Sequence, residues 1–394
     1  MKRLLWVWVL AAMLTVILGG GMVQAAALSE GALENAPPFD LECVSALLME
    51  PESGQVIFAA NENERRPVAS VTKIMTILLA MEALESGRVS MEDSVTVSKN
   101  AASMGGTQIL LDVGETQSFE ILLKSMIVGS ANDAAVAIAE HLYGSVEQFV
   151  AKMNERAAEL GMSDTHFVNC TGLPAEGHYT TARDVAIMAS ELIRHPTYFD
   201  YSTIWMDEVE HPDGRVTSLT NTNRLTQLYE GCDGVKTGST SEAGYCMAAT
   251  AKRGDMRLIA VVLGSETGKI RFDQAAKLLD HGFANYRLYP VARAGEKLKE
   301  SVRVLGGDSE TLNVQLEEDL TLLMNKGEEQ QIELQSELPE SVSAPVEQGQ
   351  TIGSVRVVKD GQILSRIPVC AMQSIARAGW MDGLGRVMRN WFYK

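Results

Sequence analysis

Ser70 and Lys73, a serine and a lysine three residues apart, carry the clearest chemical signal in this sequence. On a helix this spacing puts both side chains on one face, about one turn apart. A serine hydroxyl becomes a good nucleophile when a neighbouring base takes its proton, and a lysine can be that base if burial or a nearby cation lowers its pKa. The pair therefore predicts covalent catalysis by Ser70, with Lys73 as its base.

Two further short runs could complete such a site. In Ser130-Ala131-Asn132, the Ser130 hydroxyl can both donate and accept, as a proton relay to a leaving nitrogen requires, and Asn132 can bind a substrate peptide group. Lys236-Thr237-Gly238 combines a positive charge, a hydroxyl and a glycine that admits a ligand close to the backbone, which suits a carboxylate. The backbone N–H of Ser70, at the start of a helix, is a candidate oxyanion donor. Taken singly, Ser130 and Asn132 would each more often be helix caps.

The hydrophobic pattern predicts where these residues lie. A helix beginning at Ser70 has apolar residues at helical spacing and also on its other faces, so we expect it to be buried nearly all round. Its apolar residues are Val71, Ile74, Met75, Ile77, Leu78, Leu79, Met81 and Leu84. Two further helices are predicted over Glu120–Met126 and Asp133–Leu142, which would leave Ser130 and Asn132 in the loop between them.

Strand patterns predict an antiparallel sheet packed against an amphipathic helix, Phe272–Ala284. The predicted strands are Ala46–Met49, Val56–Ala59, Val235–Thr237, Tyr245–Lys252 and Leu258–Leu263. Together these elements form an α/β unit over residues 38–288. Alternating apolar residues and turn signals then predict a small all-β domain over residues 289–370.

The order and spacing of the three runs resemble those of penicillin-binding proteins and serine β-lactamases. Over nearly its whole length the chain is most similar to the low-molecular-weight penicillin-binding proteins, which are serine-type D-alanyl-D-alanine carboxypeptidases. The other stretches that carry this resemblance are His166-Phe167-Val168-Asn169, Gly172-Leu173, His178–Asp184, Asn221–Leu225, Asp233–Gly238 and Ile270-Arg271-Phe272.

This resemblance implies a fold of class α/β (α+β), with an antiparallel sheet between helices, followed by a small all-β domain and a C-terminal amphipathic helix. It assigns the nucleophile to Ser70, the base to Lys73 and the relay to Ser130 with Asn132, and it places the carboxylate site at Lys236 and Thr237. By the same resemblance Ser239 gives a second oxyanion N–H and Arg271 supports carboxylate binding. The implied partners are peptidoglycan stem peptides ending in D-Ala-D-Ala and β-lactam antibiotics, and no cofactor or metal is implied.

Two departures separate the chain from β-lactamases. Ala131 stands where those enzymes usually have aspartate, and no Glu-x-x-x-Asn run lies between Asn132 and Lys236. We therefore expect slow release of a penicilloyl group. A β-lactamase and a wall-binding protein that has lost turnover remain the alternatives, and the complete motif set counts against the second.

Both ends of the chain carry targeting signals. Residues 1–25 combine Lys2 and Arg3, an apolar stretch that is short for a bilayer span, and a small-residue cleavage site, which is typical of a secretory signal peptide. From residue 371 to 394 we predict an amphipathic helix with Trp380, Leu384, Val387, Met388 and Trp391 on one side. These signals predict an exported protein attached peripherally to the outer face of the membrane, although a helix packed on the second domain is an alternative for the tail.

Composition excludes several other functions. A net charge of −17 over 394 residues argues against nucleic-acid binding. The five cysteines are scattered and lack metal-ligand spacing, so we expect at most one disulfide. The six histidines show neither metal spacing nor a Gly-x-Ser-x-Gly partner, which disfavours a zinc peptidase or an α/β-hydrolase.

Overall fold

A computed structural model of the chain describes residues 40–379. Its helices are α1 (Lys73–Glu85), α2 (Lys99–Ala102), α3 (Phe119–Val128), α4 (Asn132–Tyr143), α5 (Val146–Glu159), α6 (Ala182–Leu192), α7 (Phe199–Ser202), α8 (Leu225–Leu228) and α9 (Gly268–Asn285). Its strands are β1 (Ser45–Met49), β2 (Val56–Ala60), β3 (Ser94–Thr96), β4 (Thr116–Ser118), β5 (Met206–Glu210), β6 (Val216–Thr220), β7 (Cys232–Thr240), β8 (Gly244–Arg253), β9 (Met256–Ser265), β10 (Tyr286–Ala292), β11 (Lys297–Leu305), β12 (Thr311–Leu316), β13 (Leu320–Asn325), β14 (Ile332–Glu337), β15 (Ser341–Ser343), β16 (Thr351–Lys359) and β17 (Gln362–Ala371).

A five-stranded antiparallel sheet, in the order β2-β1-β9-β8-β7, separates two helical layers. One face packs on a large apolar core shared by α1, α3, α4 and α6. The other face is covered by α9, through residues such as Leu278 and Leu279. This confirms the predicted antiparallel sheet between helices, and β7 lies at its edge.

Helix α1 is the central helix of the larger core. Ten of its residues are buried, among them Ile74, Ile77 and Met81, which confirms a helix surrounded by apolar neighbours. The chain enters α1 through a 3₁₀ turn, Ala69–Thr72, so Ser70 lies in this turn and Lys73 is the first α-helical residue. The turn places Ser70 at the surface of the core and Lys73 inside it.

The connection between α3 and α4 differs from the prediction. Asn132 is the first residue of α4 and is not in a loop; only Gly129, Ser130 and Ala131 lie between the two helices. The difference arises because Asp133 accepts hydrogen bonds from the backbone of Ile109 and Leu111 across the fold, which fixes the first turn of α4 one residue earlier than the apolar pattern indicates.

The C-terminal part of the described chain is all-β. A six-stranded sheet, β14-β16-β17-β12-β11-β15, is antiparallel except between β11 and β15, and a separate pair joins β10 to β13. Leu312, Val314 and Leu316 alternate into its apolar core as predicted. The predicted boundary between residues 288 and 289 falls inside β10.

The predicted terminal helix is wrong at its start. Ala371 is the last residue of β17, and Ile375 and Arg377 form isolated β-bridges with Val346 and Gly307. Ile375 is buried in the all-β core, so this stretch is part of that domain. Residues 380–394, which carry both tail tryptophans, lie outside the described residues, as does the predicted signal peptide.

Two further observations bear on the remaining sequence expectations. Within residues 40–379, no helix is long and apolar enough to cross a membrane. The five cysteines, all in this part of the chain, are free thiols, although the sequence left room for one disulfide.

Candidate functional site

Lys73 connects three segments of the fold through one buried amine. Its Nζ donates to Ser70 Oγ at 3.0 Å, to Asn132 Oδ1 at 2.5 Å and to the carbonyl oxygen of Thr171 at 2.8 Å. The side chain of Lys73 is fully buried, and this burial lowers its pKa from the usual value near 10.5 to about 7. An amine with this pKa is largely free base just above neutrality, and it is in contact with the serine hydroxyl that it would deprotonate.

Asn132 holds the lysine in place from α4. Its Oδ1 accepts from Lys73, while its Nδ2 donates to the carbonyl oxygen of Gly105 at 2.7 Å. Its backbone N–H donates to the carbonyl oxygen of Thr107, also at 2.7 Å. The amide is therefore anchored on both sides, with one Nδ2 hydrogen left for a further acceptor.

Ser130 lies opposite the Ser70–Lys73 pair. It adopts a left-handed backbone conformation, with φ of 65°, which is costly for a residue other than glycine and is held by the helices on either side. Its Oγ is buried and has no hydrogen-bond partner within residues 40–379. A buried, unpaired hydroxyl that lines the cleft is available to a bound substrate.

The edge strand β7 brings the third run beside the first. Lys236 is buried, and its Nζ donates a long hydrogen bond of 3.4 Å to the carbonyl oxygen of Thr237. No carboxylate within the described residues forms an ion pair with it. Burial, together with the neighbouring cations Lys73 and Arg271, lowers the pKa of Lys236 well below its usual value. An anionic ligand at this position would restore its charged form.

The two lysines, Lys73 and Lys236, do not affect each other's pKa equally. The sequence allows either burial or a nearby cation to lower the pKa of Lys73, and in the structure burial is the cause. Repulsion by Lys73 instead lowers the pKa of Lys236, where it is the second cause after burial.

Position 238 must be glycine because backbone atoms of another segment lie too close to admit a Cβ. A Cβ on this residue would lie 2.6 Å from the carbonyl oxygen of Val68 and 2.8 Å from the amide nitrogen of Ser70. The sequence attributed this glycine to the close approach of a ligand, whereas the structure has β7 touching the turn that carries Ser70. This contact sets the next residue, Ser239, beside that turn at the rim of the cleft.

Arg271 reaches the same strand from α9. Its Nη1 donates to the carbonyl oxygens of Gly238 and Cys246, at 3.1 and 3.3 Å, and its Nε is buried without a partner among the described residues. Burial lowers its pKa from 12.5 to about 10, and it remains a cation at neutral pH. Arg271 therefore fixes the end of β7 and adds positive charge to the cleft.

One group of residues at the site was not predicted from the spacing of polar residues. The loop between α5 and α6 supplies the Thr171 carbonyl, and Gly172 passes so close to Ala69 that a Cβ there would lie 1.9 Å from the Ala69 carbonyl oxygen. His178 Nδ1 accepts from the N–H of Val168, and its Nε2 contacts Thr72 Oγ1 at 2.8 Å. Burial lowers the pKa of His178 to about 4, so the ring is neutral and its Nε2–H donates to Thr72. The only sequence signal for this loop was its resemblance to the family.

These residues surround a single cleft of about 1040 Å³. It is lined by Ser70, Ser130, Thr237, Gly238, Ser239 and Arg271, and it extends past Trp205, Thr220, Asn221, Thr222 and Arg224. Lys73, Asn132 and Lys236 are buried just beneath the lining, because they contact the lining residues Ser70, Thr107 and Thr237 respectively. The structure thus brings together all nine residues singled out from the sequence. Within residues 40–379 no cluster of three His, Cys, Asp or Glu side chains could hold a metal.

Comparisons with known proteins agree with this geometry. Residues 32–267 match the family described as D-alanyl-D-alanine carboxypeptidase, and residues 286–377 match the C-terminal domain of penicillin-binding protein 5. The chain is 42% identical to D-alanyl-D-alanine carboxypeptidase DacF of Bacillus subtilis, over 89% of this chain and 90% of that protein.

Among solved structures, penicillin-binding protein 5 of Haemophilus influenzae superposes with a TM-score of 0.76 at 31% identity, covering 87% of this chain and all of that one. Penicillin-binding protein D2 of Listeria monocytogenes, solved with ampicillin bound, gives a TM-score of 0.56 at 32% identity, covering 63% of this chain and 100% of that one.

Proposed function

This chain belongs to the D-alanyl-D-alanine carboxypeptidase family of low-molecular-weight penicillin-binding proteins, and we propose that Ser70 is the nucleophile with which it removes the terminal D-Ala from peptidoglycan stem peptides. The family is that of serine-type hydrolases, and its members bind β-lactams. The observation that carries the assignment to Ser70 is its 3.0 Å contact with Lys73, a buried amine whose pKa is about 7.

Acylation begins with proton transfer. Neutral Lys73 takes the proton of Ser70, and Oγ attacks the carbonyl carbon of the penultimate D-Ala, so that an O–C bond forms. The negative charge that develops on the carbonyl oxygen is stabilised by the N–H groups of Ser70 and Ser239, at the turn and at the end of β7. The contact between Gly238 and the Ser70 amide supports this pairing of donors.

Release of the leaving group requires a proton on its nitrogen. Ser130 passes the proton from Lys73 to the leaving nitrogen, the C–N bond breaks, and terminal D-Ala is released. Lys236 and Thr237 bind the D-Ala carboxylate, with Arg271 adding charge nearby. A water molecule then hydrolyses the ester on Ser70 and regenerates the hydroxyl. A penicillin carries both the reactive amide and the carboxylate, and it would acylate Ser70 by the same steps.

Three alternative functions can be distinguished by the formation and fate of the acyl-enzyme. A β-lactamase would release the penicilloyl group quickly, a transpeptidase would transfer the stem peptide to a second amine, and a wall-binding protein would form no acyl-enzyme. The absence of the Glu-x-x-x-Asn run, and alanine at position 131, favour slow penicillin release.

The experiment that tests the assignment follows a fluorescent penicillin over time. We expect one equivalent bound at Ser70, identified by peptide mapping, with slow loss of the label and with D-Ala release from an unlabelled pentapeptide in parallel assays. Rapid loss of the label would support a β-lactamase, dominant formation of peptide dimers would support a transpeptidase, and no label would support a binding protein.

We also propose that residues 1–25 are a signal peptide that directs export and is then removed. The tail then holds the protein on the outer face of the cell membrane. The support is the sequence pattern alone: the signal-peptide features of residues 1–25, and two tryptophans and three basic residues against one acidic residue between 380 and 394. Because residues 371–377 belong to the all-β domain, the proposed anchor is narrowed to residues 380–394.

A further inference from the structure

The hairpin formed by β5 and β6 packs over the loop that precedes β4. At its tip, His211 Nδ1 lies 2.7 Å from Glu115 Oε1, and the two side chains are 0% and 4% exposed. Six residues later, in the return strand β6, Thr217 Oγ1 contacts both His211 Nε2, at 2.9 Å, and the carbonyl oxygen of Ile109, at 3.0 Å. We call this group of four residues the hairpin clamp.

Two of these hydrogen bonds have a definite direction. The hydroxyl of Thr217 donates to the Ile109 carbonyl oxygen, and its contact with His211 Nε2 ties the same hydroxyl to the tip of the hairpin. Glu115 has its pKa lowered, despite its burial, by hydrogen bonds from Asp112, Gln117 and His211, so it is a carboxylate that accepts from Nδ1–H. The clamp therefore joins the hairpin to both Glu115 and Ile109 through side-chain hydrogen bonds.

The clamp acts on a strained part of the loop. Leu110, adjacent to Ile109, has φ of 65° and is exposed. Arg215, at the hairpin turn, donates from Nη1 to the Leu110 carbonyl oxygen at 3.0 Å and pairs through Nη2 with Asp112. Left-handed backbone at a leucine persists only where its surroundings hold it, and these contacts are what hold it here.

The same loop positions the residues that hold Lys73. The N–H groups of Ile109 and Leu111 donate to the Asp133 carboxylate, and the carbonyls of Gly105 and Thr107 accept from Asn132. A Cβ on Gly106 would lie 2.8 Å from Asn132 Nδ2, so the loop packs closely on that amide. Asn132 Oδ1 in turn accepts from Lys73 Nζ.

We propose that His211 and Thr217 are positioning residues for acylation: they lock the 105–111 loop, and through it Asn132, so that the Lys73 amine stays in contact with Ser70. This inference rests on the proposed role of Lys73. Neither His211 nor Thr217 is among the residues that line the cleft, so their effect must be transmitted through the loop.

The test compares three substitutions in the full chain. Thr217→Val keeps the shape of the side chain and removes the hydroxyl, Thr217→Ser keeps the hydroxyl, and Glu208→Gln alters an exposed residue of β5 in the same hairpin. We expect Thr217→Val to slow acylation by saturating penicillin about tenfold, since a small displacement of a reacting group is costly, and Thr217→Ser and Glu208→Gln to stay within about twofold of wild type. Hydrogen exchange should accelerate at the amides of Ile109 and Leu111 in Thr217→Val and not in α1.

Active-site titration separates slow acylation from loss of folded protein. If Thr217→Val acylates at the wild-type rate, or only lowers the number of reactive sites, the positioning role is overturned. Equal loss in Thr217→Ser would also overturn it. Arg215→Gln, which removes the hydrogen bond to the Leu110 carbonyl oxygen, provides a second variant if Thr217→Val does not fold. If Arg215→Gln acylates as fast as the wild type, the proposal is overturned. Normal acylation by Lys73→Ala would instead overturn the proposed function itself.

Discussion

The Cα of Gly238 faces the amide nitrogen of Ser70 so closely that a Cβ added to Gly238 would lie 2.8 Å from that nitrogen. The end of the edge strand and the turn that carries the nucleophile are thus a single packed unit. We expect Gly238→Ala to force β7 away from the turn, to cost about 1–3 kcal/mol of stability and to slow acylation by at least about tenfold. Thermal unfolding and penicillin acylation rates would measure the two effects.

Ser241→Ala is the control for that substitution, because Ser241 is exposed and lies just beyond the end of β7. It should acylate at nearly the wild-type rate. Normal acylation by Gly238→Ala would mean that the turn and the strand are not held in register by this contact.

Replacement of the nucleophile gives the most direct prediction. Ser70→Ala should abolish both D-Ala release and covalent penicillin labelling, because Lys73 would then have no hydroxyl to activate. Intact-mass spectrometry after incubation with penicillin is the measurement, and Ser130→Ala is the control, in which any adduct should still map to Ser70. An adduct on another serine of the Ser70→Ala protein would remove Ser70 from its proposed role.

The pH dependence of acylation should report the state of Lys73. Burial places its pKa at about 7, and the base acts in its neutral form. The second-order rate constant for acylation should therefore be low at acidic pH, where the amine is protonated, and should rise through pH 7, before loss of charge on Lys236, whose pKa is also lowered, weakens penicillin capture at higher pH. The profile is best measured by penicillin acylation with circular dichroism at each pH. A flat rate from pH 5.5 to 8.5 in folded protein would contradict the assignment of Lys73 as the base.

Binding of the substrate carboxylate should depend on Lys236. Lys236→Ala should raise KM for a D-Ala-D-Ala peptide and weaken capture of penicillin, and KM of the wild type should rise with pH as Lys236, whose pKa is lowered, loses its charge. The control ligand is the same peptide with its C-terminal carboxylate replaced by an amide. Wild type should prefer the acid over the amide, and Lys236→Ala should lose most of that preference. Equal kcat/KM of the wild type for acid and amide would rule out the carboxylate site.

Removal of the tail tests membrane attachment. Deletion of residues 380–394 should move the exported enzyme from the membrane to the soluble fraction without a change in its activity on a soluble peptide. Burial of Trp380, Leu384, Val387, Met388 and Trp391 at roughly 25 cal/mol per Å² would contribute several kcal/mol of binding, and each basic residue up to about 1 kcal/mol on anionic lipid.

Two controls accompany this deletion. Replacement of Trp380 and Trp391 by serine should have nearly the same effect, whereas replacement of Arg386 and Arg389 by glutamine should make binding insensitive to salt without abolishing it. Deletion from residue 371 onward should destabilise the all-β domain, because it removes the buried Ile375. If the 380–394 deletion still sediments with membranes, the anchor lies elsewhere.

The sequence predicted the parts of the site that depend on local pattern. The apolar positions of α1 and the strand pattern around Lys236 were sufficient to place Ser70, Lys73 and β7, because helices and strands bury residues at characteristic intervals. The first residue of α4 could not be predicted this way, since Asp133 is held by backbone groups more than twenty positions away.

Contacts between distant segments account for the other differences. The hairpin clamp joins Glu115 to His211, and no periodicity connects two residues so far apart in the chain. The predicted helix extends back to residue 371 from a helical pattern that is carried by residues 380–391, whereas Ile375 is fixed by a β-bridge to Val346. The role of Gly238 was assigned to a ligand because the sequence does not reveal that the turn before α1 packs against the same strand.

The three acceptors around the Lys73 amine have a consequence for the newly synthesised chain. Two of them lie 59 and 98 positions along the chain from Lys73, and the amine is desolvated only when both segments have packed around it. Long-range contacts of this kind form late, because the entropy of closing large loops must first be overcome. Until then Lys73 is an ordinary solvated amine with a pKa near 10.5, and Ser70 is an ordinary alcohol. The chain should therefore be inert towards β-lactams until these segments have packed and become reactive as folding is completed, so that penicillin labelling counts only the folded molecules.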